Sequence, residues 1–256
     1  MTRYLVAHRT TIAPIVALVL MFVVWEAVAR VGKIPQYLLP TPSSVFAYTF
    51  THFGLFIPHA WGTIQSTLLG FIFSVVFGIG LSILIVWSRT FEDAVYPLVV
   101  MTQVIPKVAI APLLIVYLGF GQEPKIFLAF LISFFPMVIN TTLGMKSVST
   151  ELLELLTTLK ATRWQVMRKV RFMRAIPFIV EGAKISITLA VIGAIVGEFA
   201  AGNLGLGYLI ASASSSLDTV QGFSALLVLI VIGIVLFEAI HIGGRLLAPW
   251  TARSAE

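Results

Sequence analysis

Six stretches of about twenty mostly apolar residues punctuate this chain, and that single property decides what it can fold into. They fall near 12–31, 62–87, 95–118, 125–145, 176–200 and 222–247. A helix of roughly 20 apolar residues is the length needed to cross a bilayer. Over the 256 residues, 59% are hydrophobic and 11% charged, too few polar groups to clothe a soluble domain of this size. A soluble enzyme, a secreted disulfide scaffold and a disordered chain are therefore excluded. Cysteine is absent, which removes thiol chemistry and Cys-ligated metal. The four histidines are scattered, no metal-ligand spacing occurs, and no nucleophile–base–acid set is visible. The net charge of +6 is read by its placement in loops and not as a nucleic-acid signal. The expectation is an all-α polytopic membrane protein, 1–256 forming one domain.

The first stretch lacks a small-residue cleavage pattern and is interrupted by Trp25 and Glu26, so it is read as a retained helix. The third carries Pro97, Pro106 and Pro112, spacings that imply kinks; five spans is the alternative to six, and it turns on this segment. With the N-terminus inside, one side holds Arg3, Arg9, Arg89, Lys146, Lys160, Arg163, Arg168, Lys169, Arg171, Arg174, Arg245 and Arg253. The other holds Arg30, Lys33 and Lys125. The positive-inside rule then places both termini in the cytoplasm. Pro35, Pro40 and Pro42 mark an extended outer connection before a short amphipathic stretch, 43–56. No internal repeat is found, which argues mildly against the inverted-repeat secondary transporters.

The loop 147–174 is far longer than a turn requires. Leu152, Leu155, Leu156 and Leu159 share one helical face, Thr150 is placed to cap the helix, and Glu151 and Glu154 suit its positive end. Val166, Met167 and Val170 lie opposite basic residues in the second half. Two short amphipathic helices joined near Lys160–Thr162 are expected. Their apolar face suits either anionic headgroups or a groove on a soluble partner, and periodicity does not choose between them.

ELLTTLKATRWQVMRKVRFMRAIPFI (154–179) resembles the cytoplasmic coupling loop of the inner-membrane permease subunits of binding-protein-dependent ABC importers. Their pattern of Glu-Ala-Ala, three residues, Gly, nine residues and apolar-x-Leu-Pro falls on Glu154, Leu155 and Leu156, then Lys160, then Val170, Phe172 and Met173. Pro177 matches a second proline. Two departures stand out. Lys160 replaces the Gly that would accept a positive φ, so the bend is expected to be shallower or shifted towards Ala161, and Met173 replaces a Pro. LPTPSSV (39–45), IPKVAIAPLLIVYLGFG (105–121), FFPMVINT (134–141), IGAIVGEF (192–199) and GLGYLI (205–210) follow in the family's order. They look most like the branch importing nitrate, taurine, aliphatic sulfonates and small heterocycles such as a thiamine pyrimidine precursor or riboflavin.

The resemblance implies a type I importer permease in a bacterial inner membrane. Its expected partners are a second permease copy, two ATP-binding cassette ATPases, an extracytoplasmic binding protein and membrane lipid, with no nucleic acid. No GxxxxGK[ST] loop occurs here, so the chain is not expected to be an enzyme. ATP and Mg belong to the partner ATPases, and no cofactor is expected on this chain. Coupling is assigned to Glu154, Leu155, Leu156, Leu159, Lys160, Ala161, Thr162 and Arg163. Gly193, Gly197, Ala201 and Gly205, and likewise Gly70, Ser74, Gly78 and Ser82, recur every four residues. Such stripes serve packing inside one subunit or between two, and the resemblance favours the dimer. Ionisable groups at membrane depth line paths or pair. Glu181 with Lys184, and Glu238 with His241 and Arg245, read as local structural faces. Lys107 follows Pro106, with Gln103 one turn earlier on the same face; with Asn140, Thr141, Glu198 and Asn203 they form the expected path, Glu198 neutralising Lys107 when no anion is bound. A pairing of Lys107 with Glu198 for structure alone is the alternative. A carrier driven by an ion or proton gradient, working without ATPase, and a membrane scaffold are the competing classes.

Overall fold

The computed structural model describes the backbone of residues 2–247 and the side chains of residues 13–246 except Ala201. Arg3 and Arg9 lie outside the described side chains, as does Ala201, and Arg253 lies outside the described residues. Every regular element among the described residues is helical, the α-helices in the order α1 (Thr2–Val31), α2 (Pro42–Thr51), α3 (Phe53–Trp87), α4 (Arg89–Met101), α5 (Ala111–Leu118), α6 (Glu123–Lys146), α7 (Thr150–Thr158), α8 (Arg163–Val166), α9 (Phe172–Ala201), α10 (Leu206–Ser216) and α11 (Thr219–Leu247). Five helices are long and apolar enough to span by themselves, and Arg89–Val104 with Lys107–Leu118 form a sixth candidate bent by 84°.

Helix directions resolve the bent segment. Gly70 of α3 lies against Ala129 of α6, and Gly78 against Met137. The Ser82 hydroxyl donates to the Val138 carbonyl at 2.9 Å, while that of Ser66 donates to Gln122 Oε1 at 2.7 Å. Residue numbers rise together along both helices, so α3 and α6 run parallel. The end of α3 and the start of α6 are therefore at opposite ends of the bundle. Arg89–Leu118 must carry the chain back between them, which makes it a crossing and the total six. An extended joint at Ile105 and Pro106 interrupts it, because Pro106 lacks the N–H that a continuous helix would use.

The chain divides into two compact units whose boundaries fall inside α3, α10 and α11: residues up to Ile57 with Leu209–Val228, and Pro58–Tyr208 with the residues from Leu229 on. In the first unit, Glu26 near the end of α1 pairs with Arg30 at 2.5 Å and accepts from the Ser43 N–H and hydroxyl at 3.0 and 2.8 Å. These bonds tie α1 to the start of α2, which Thr41 caps by accepting from the Ser44 N–H. Trp25 packs on Phe223, and Ser224 donates to the Val45 carbonyl.

The second unit is built on the antiparallel pair α6 and α9. Gly197 sits on Lys125, Gly193 on Leu128 and Ala129, Gly182 on Asn140 and Gly144 on Ala175 and Phe178. Ser186 donates across the pair to the Ser133 carbonyl at 2.8 Å. Small residues let the two backbones touch, and hydroxyls bond across. Phe71, Ala129, Ile187, Ala190 and Ala194 close the core, with Leu236 and Ile240 of α11 against it.

Both small-residue stripes are thereby used within the chain. Gly70, Gly78 and Ser82 meet α6, and Gly193 and Gly197 of α9 meet it as well, so the expected dimer role of these faces is corrected. Gly205 does not extend the stripe; it lies beyond the end of α9 at φ +128°. A Cβ on Gly193 would stand 2.6 Å from α6 backbone atoms. Gly193→Val is expected to cost about 3 kcal/mol by prising the pair apart, measured as a lowered melting temperature in detergent.

Candidate functional site

Two places gather polar chemistry: the loop 147–174, and the junction where α9 ends against α3 and α6.

Ser149, not Thr150, caps α7: its hydroxyl accepts from the Leu152 N–H at 3.4 Å. At the other end Lys160 takes φ +55°. Its N–H bonds the Thr157 carbonyl at 2.9 Å and the Ala161 N–H bonds that of Leu156 at 2.9 Å. That pair of bonds is the Schellman ending, which needs one left-handed residue after the helix. The bend is therefore neither shallower nor shifted to Ala161. Lys160 adopts the conformation a Gly would favour, because two carbonyl bonds outweigh a strain of about 1–2 kcal/mol. Lys160→Gly is expected to stabilise the turn by about 1 kcal/mol, read as slower hydrogen exchange at the Ala161 amide. Thr162 then starts α8 with a reciprocal capping box to Gln165.

α8 is not a separate second helix. It runs through a π-helical turn, Met167–Arg171, into α9. Met167 is buried with Met145 and Ala175, and Ile83 and Val86 of α3 pack against them; Trp164 stacks edge-on to Trp87 with ring centroids 6.2 Å apart. The loop is thus anchored to the bundle, while Leu155 and Leu159 stay 54% and 68% exposed and Leu152 and Glu154 are also on the surface. A capped helix, joined to an anchored segment, thus presents its leucines outward. Glu181 and Lys184 pair at 2.7 Å just beyond it.

The second place centres on Glu198, which is 1% exposed. Thr63 of α3 donates to its Oε1 at 2.7 Å, and the Gly207 N–H donates to Oε2 at 2.7 Å. The Thr63 oxygen also accepts from the Leu206 N–H at 2.9 Å. The Gly205 N–H donates to His59 Nδ1 at 3.1 Å, which makes that nitrogen the acceptor, and Lys125 Nζ donates to the Leu204 carbonyl at 2.8 Å. Side chains from α3 and α6 thus capture the backbone of 204–207 and fold it over the end of α9. A Cβ on Gly205 or Gly207 would collide with the Glu198 carboxylate, so glycine is required for this approach at both positions. Sequence reading missed His59, Thr63 and Lys125 as parts of this network. Lys125 was counted as an outer-loop charge, yet it is 1% exposed inside α6. The glycines at 202, 205 and 207 following Glu198 were the available signal of a close backbone approach.

The expected path residues are not brought together. Lys107 Nζ lies 4.5 Å from the centre of the Phe135 ring, whereas Glu198 faces the level of Lys125. Ten residues of α6 separate these levels, about 15 Å, so Lys107 and Glu198 do not pair. Gln103 is exposed but shares no helix face with Lys107, because the extended joint intervenes. Asn140 donates to the Pro136 carbonyl at 2.8 Å and is half-buried; Thr141 is buried with its hydroxyl unpartnered; Asn203 is exposed. Among the described residues no group of histidines, aspartates or glutamates is arranged to hold a metal.

Residues 70–253 match the family described as the binding-protein-dependent transport system inner membrane component. The chain belongs to this family. The permease is 35% identical to the formylaminopyrimidine transport permease protein ThiX of Halalkalibacterium halodurans, over 93% of its length and 95% of the relative's. It is 36% identical to the riboflavin transport system permease protein RibX of Chloroflexus aurantiacus, over 93% and 89%. Its fold matches a chain of the MetNI methionine ABC transporter in inward-facing conformations, with a TM-score of 0.65 at 20% identity, covering 75% of the permease and 95% of that chain. The permease is accordingly an ABC importer's membrane subunit of the type I fold and not itself an enzyme. The gradient-driven carrier finds no support among these relatives.

Proposed function

We propose that the whole chain acts as one permease domain in the bacterial inner membrane. It works as a second-copy dimer, driven by two ATPase subunits that bind ATP and Mg, and supplied by an extracytoplasmic binding protein. The observation that carries the reading is the exposed face of Leu152, Leu155 and Leu159 with Glu154, held on a loop capped at both helices and anchored through Met167 and Trp164. An ATPase gripping that face moves the start of α9 directly, and with it α6. ATP favours one arrangement of the spans only through a difference in how the ATPases hold the two loops.

The loop end faces the cytoplasm in this reading, with both termini on that side. Its support is the concentration there of Arg89, Lys146, Lys160, Arg163, Arg168, Lys169, Arg171 and Arg174. The path follows the broken span. Irregular backbone at membrane depth is tolerated where it lines a cavity or is buried in protein, and discontinuous helices recur at transporter binding sites. Lys107 and Gln103 at the joint, Asn140 on α6 and Asn203 near the far mouth are its residues. Glu198 and Thr141, enclosed by protein, are assigned to packing instead.

The cargo is a small nitrogen heterocycle. Support comes from relatives named for formylaminopyrimidine and riboflavin, and from a cation next to an aromatic ring at Lys107 and Phe135, a pair that suits a planar, electron-rich ring. Lys107→Ala is expected to cut uptake at least tenfold with the complex still assembled; normal uptake in right-side-out vesicles would remove Lys107 from the path.

The deciding experiment is a pull-down of tagged permease from native membranes, followed by proteoliposome uptake. Co-purification of an ATPase, with uptake that needs ATP, is the expected result. A permease isolated alone that moves solute on a proton or sodium gradient would overturn the reading.

A further inference from the structure

Behind the coupling helix, on the side turned away from its exposed leucines, lies a cavity of about 270 Å³. Its apolar lining includes Val86 and Trp87 at the end of α3 with Met167; Thr157 of α7, Arg163 and Arg171 are its polar lining residues. Among the described residues neither arginine pairs with a carboxylate, although Glu26, Glu92 and Glu181 each hold a basic partner elsewhere.

The π-helical turn is what brings the two arginines to one wall. Along a regular α-helix, residues eight apart point about 80° away from each other. The wider turn at Met167–Arg171 absorbs one extra residue. Arg171 then falls where the seventh residue after Arg163 would, about 20° from its direction. A π turn spends hydrogen-bond geometry, and such turns cluster at functional sites. Here the gain is two forked donors on one cavity wall at the end of a membrane span.

We propose that this cavity binds a single phosphate group, with Arg163 and Arg171 as a double fork on its oxygens; the Thr157 hydroxyl donates to the Leu153 carbonyl and lines the site without serving as a donor. Arginine forks match phosphate oxygens two at a time, which a lysine cannot reproduce. The phosphate is that of a phospholipid headgroup or a free phosphate ion, and either would brace α7 against α3 from behind. The proposal does not depend on ATPase docking, because it concerns the permease by itself.

The test uses delipidated full-length permease in an uncharged detergent, titrated in turn with dioleoylphosphatidylglycerol and with inorganic phosphate, and read by native mass spectrometry and thermal shift. One saturable equivalent of phosphatidylglycerol is expected, weakened at least tenfold by Arg171→Gln and less than twofold by Arg168→Gln, which lies outside the cavity. Saturable binding of inorganic phosphate with the same variant pattern, and none of the lipid, assigns the free ion as the source. Arg171→Lys keeps the charge and loses the fork; a several-fold loss is expected, and it serves where Arg171→Gln does not insert. Absence of saturable binding by both ligands, or equal losses for Arg168→Gln and Arg171→Gln, would overturn the proposal.

Discussion

Glu198→Ala is expected to release the segment 202–207 from the end of α9 and to lower stability by about 3 kcal/mol. Removing the carboxylate leaves the Thr63 hydroxyl and the Gly207 N–H without their acceptor, in a junction where Glu198 and Lys125 are both buried. Each buried donor left without its acceptor costs about 1–3 kcal/mol, because it stays desolvated and unpaired. For a chain of this length that corresponds to a melting temperature lower by roughly 10 °C. Glu198→Gln keeps an oxygen for Thr63 but offers an N–H where Gly207 also donates, so an intermediate loss is expected. Gly205→Ala should be nearly as harmful as Glu198→Ala, since its backbone sits at φ +128° and a Cβ there meets the carboxylate. Wild-type melting in both Glu198→Ala and Gly205→Ala would mean that the network does not hold this end of the bundle.

The second large effect belongs to the coupling loop. Leu155→Asp is expected to reduce ATPase retention about thirtyfold, the scale of a central interface residue, while the permease inserts and melts as before. The separation is possible because Leu155 is 54% exposed and lies outside the Met145–Met167–Ala175 cluster beneath the loop. Arg168→Ala, on the basic side of the same loop, should change retention less than twofold. Full ATPase retention and ATP-driven uptake by the Leu155→Asp permease would remove this face from the coupling surface.

The candidate site was only half legible in the sequence, and the boundary follows a physical line. The leucine spacing of 152–159 revealed an amphipathic helix because a helix carries its own face in a 3.6-residue period. The cap was misplaced by one residue, since Ser149 and Thr150 are equally good cap formers and only the backbone angles separate them. Lys160 was expected to resist a left-handed turn on local grounds. It accepts one because the Schellman bonds to Leu156 and Thr157 are made only there. Lys107 and Glu198 looked like partners because both are rare charges in apolar runs; their separation along α6 depends on which helix each one touches.

Hydropathy by itself determined that this chain crosses a membrane and where its six long apolar runs lie. It also located the amphipathic loop that breaks the pattern between the fourth and fifth of them. Those properties are sums over local residues, and each helix satisfies its own backbone within the bilayer. Tertiary structure decided the rest: that α3 and α6 run parallel, so that the broken segment is a crossing; that both small-residue stripes close on α6; and that Lys125, Thr63 and His59 gather around the end of α9. A stripe of glycines or a buried charge specifies that something comes close. Which element comes close is a property of the packed bundle, because the partner lies tens of residues away and is chosen by the fit of whole helix faces.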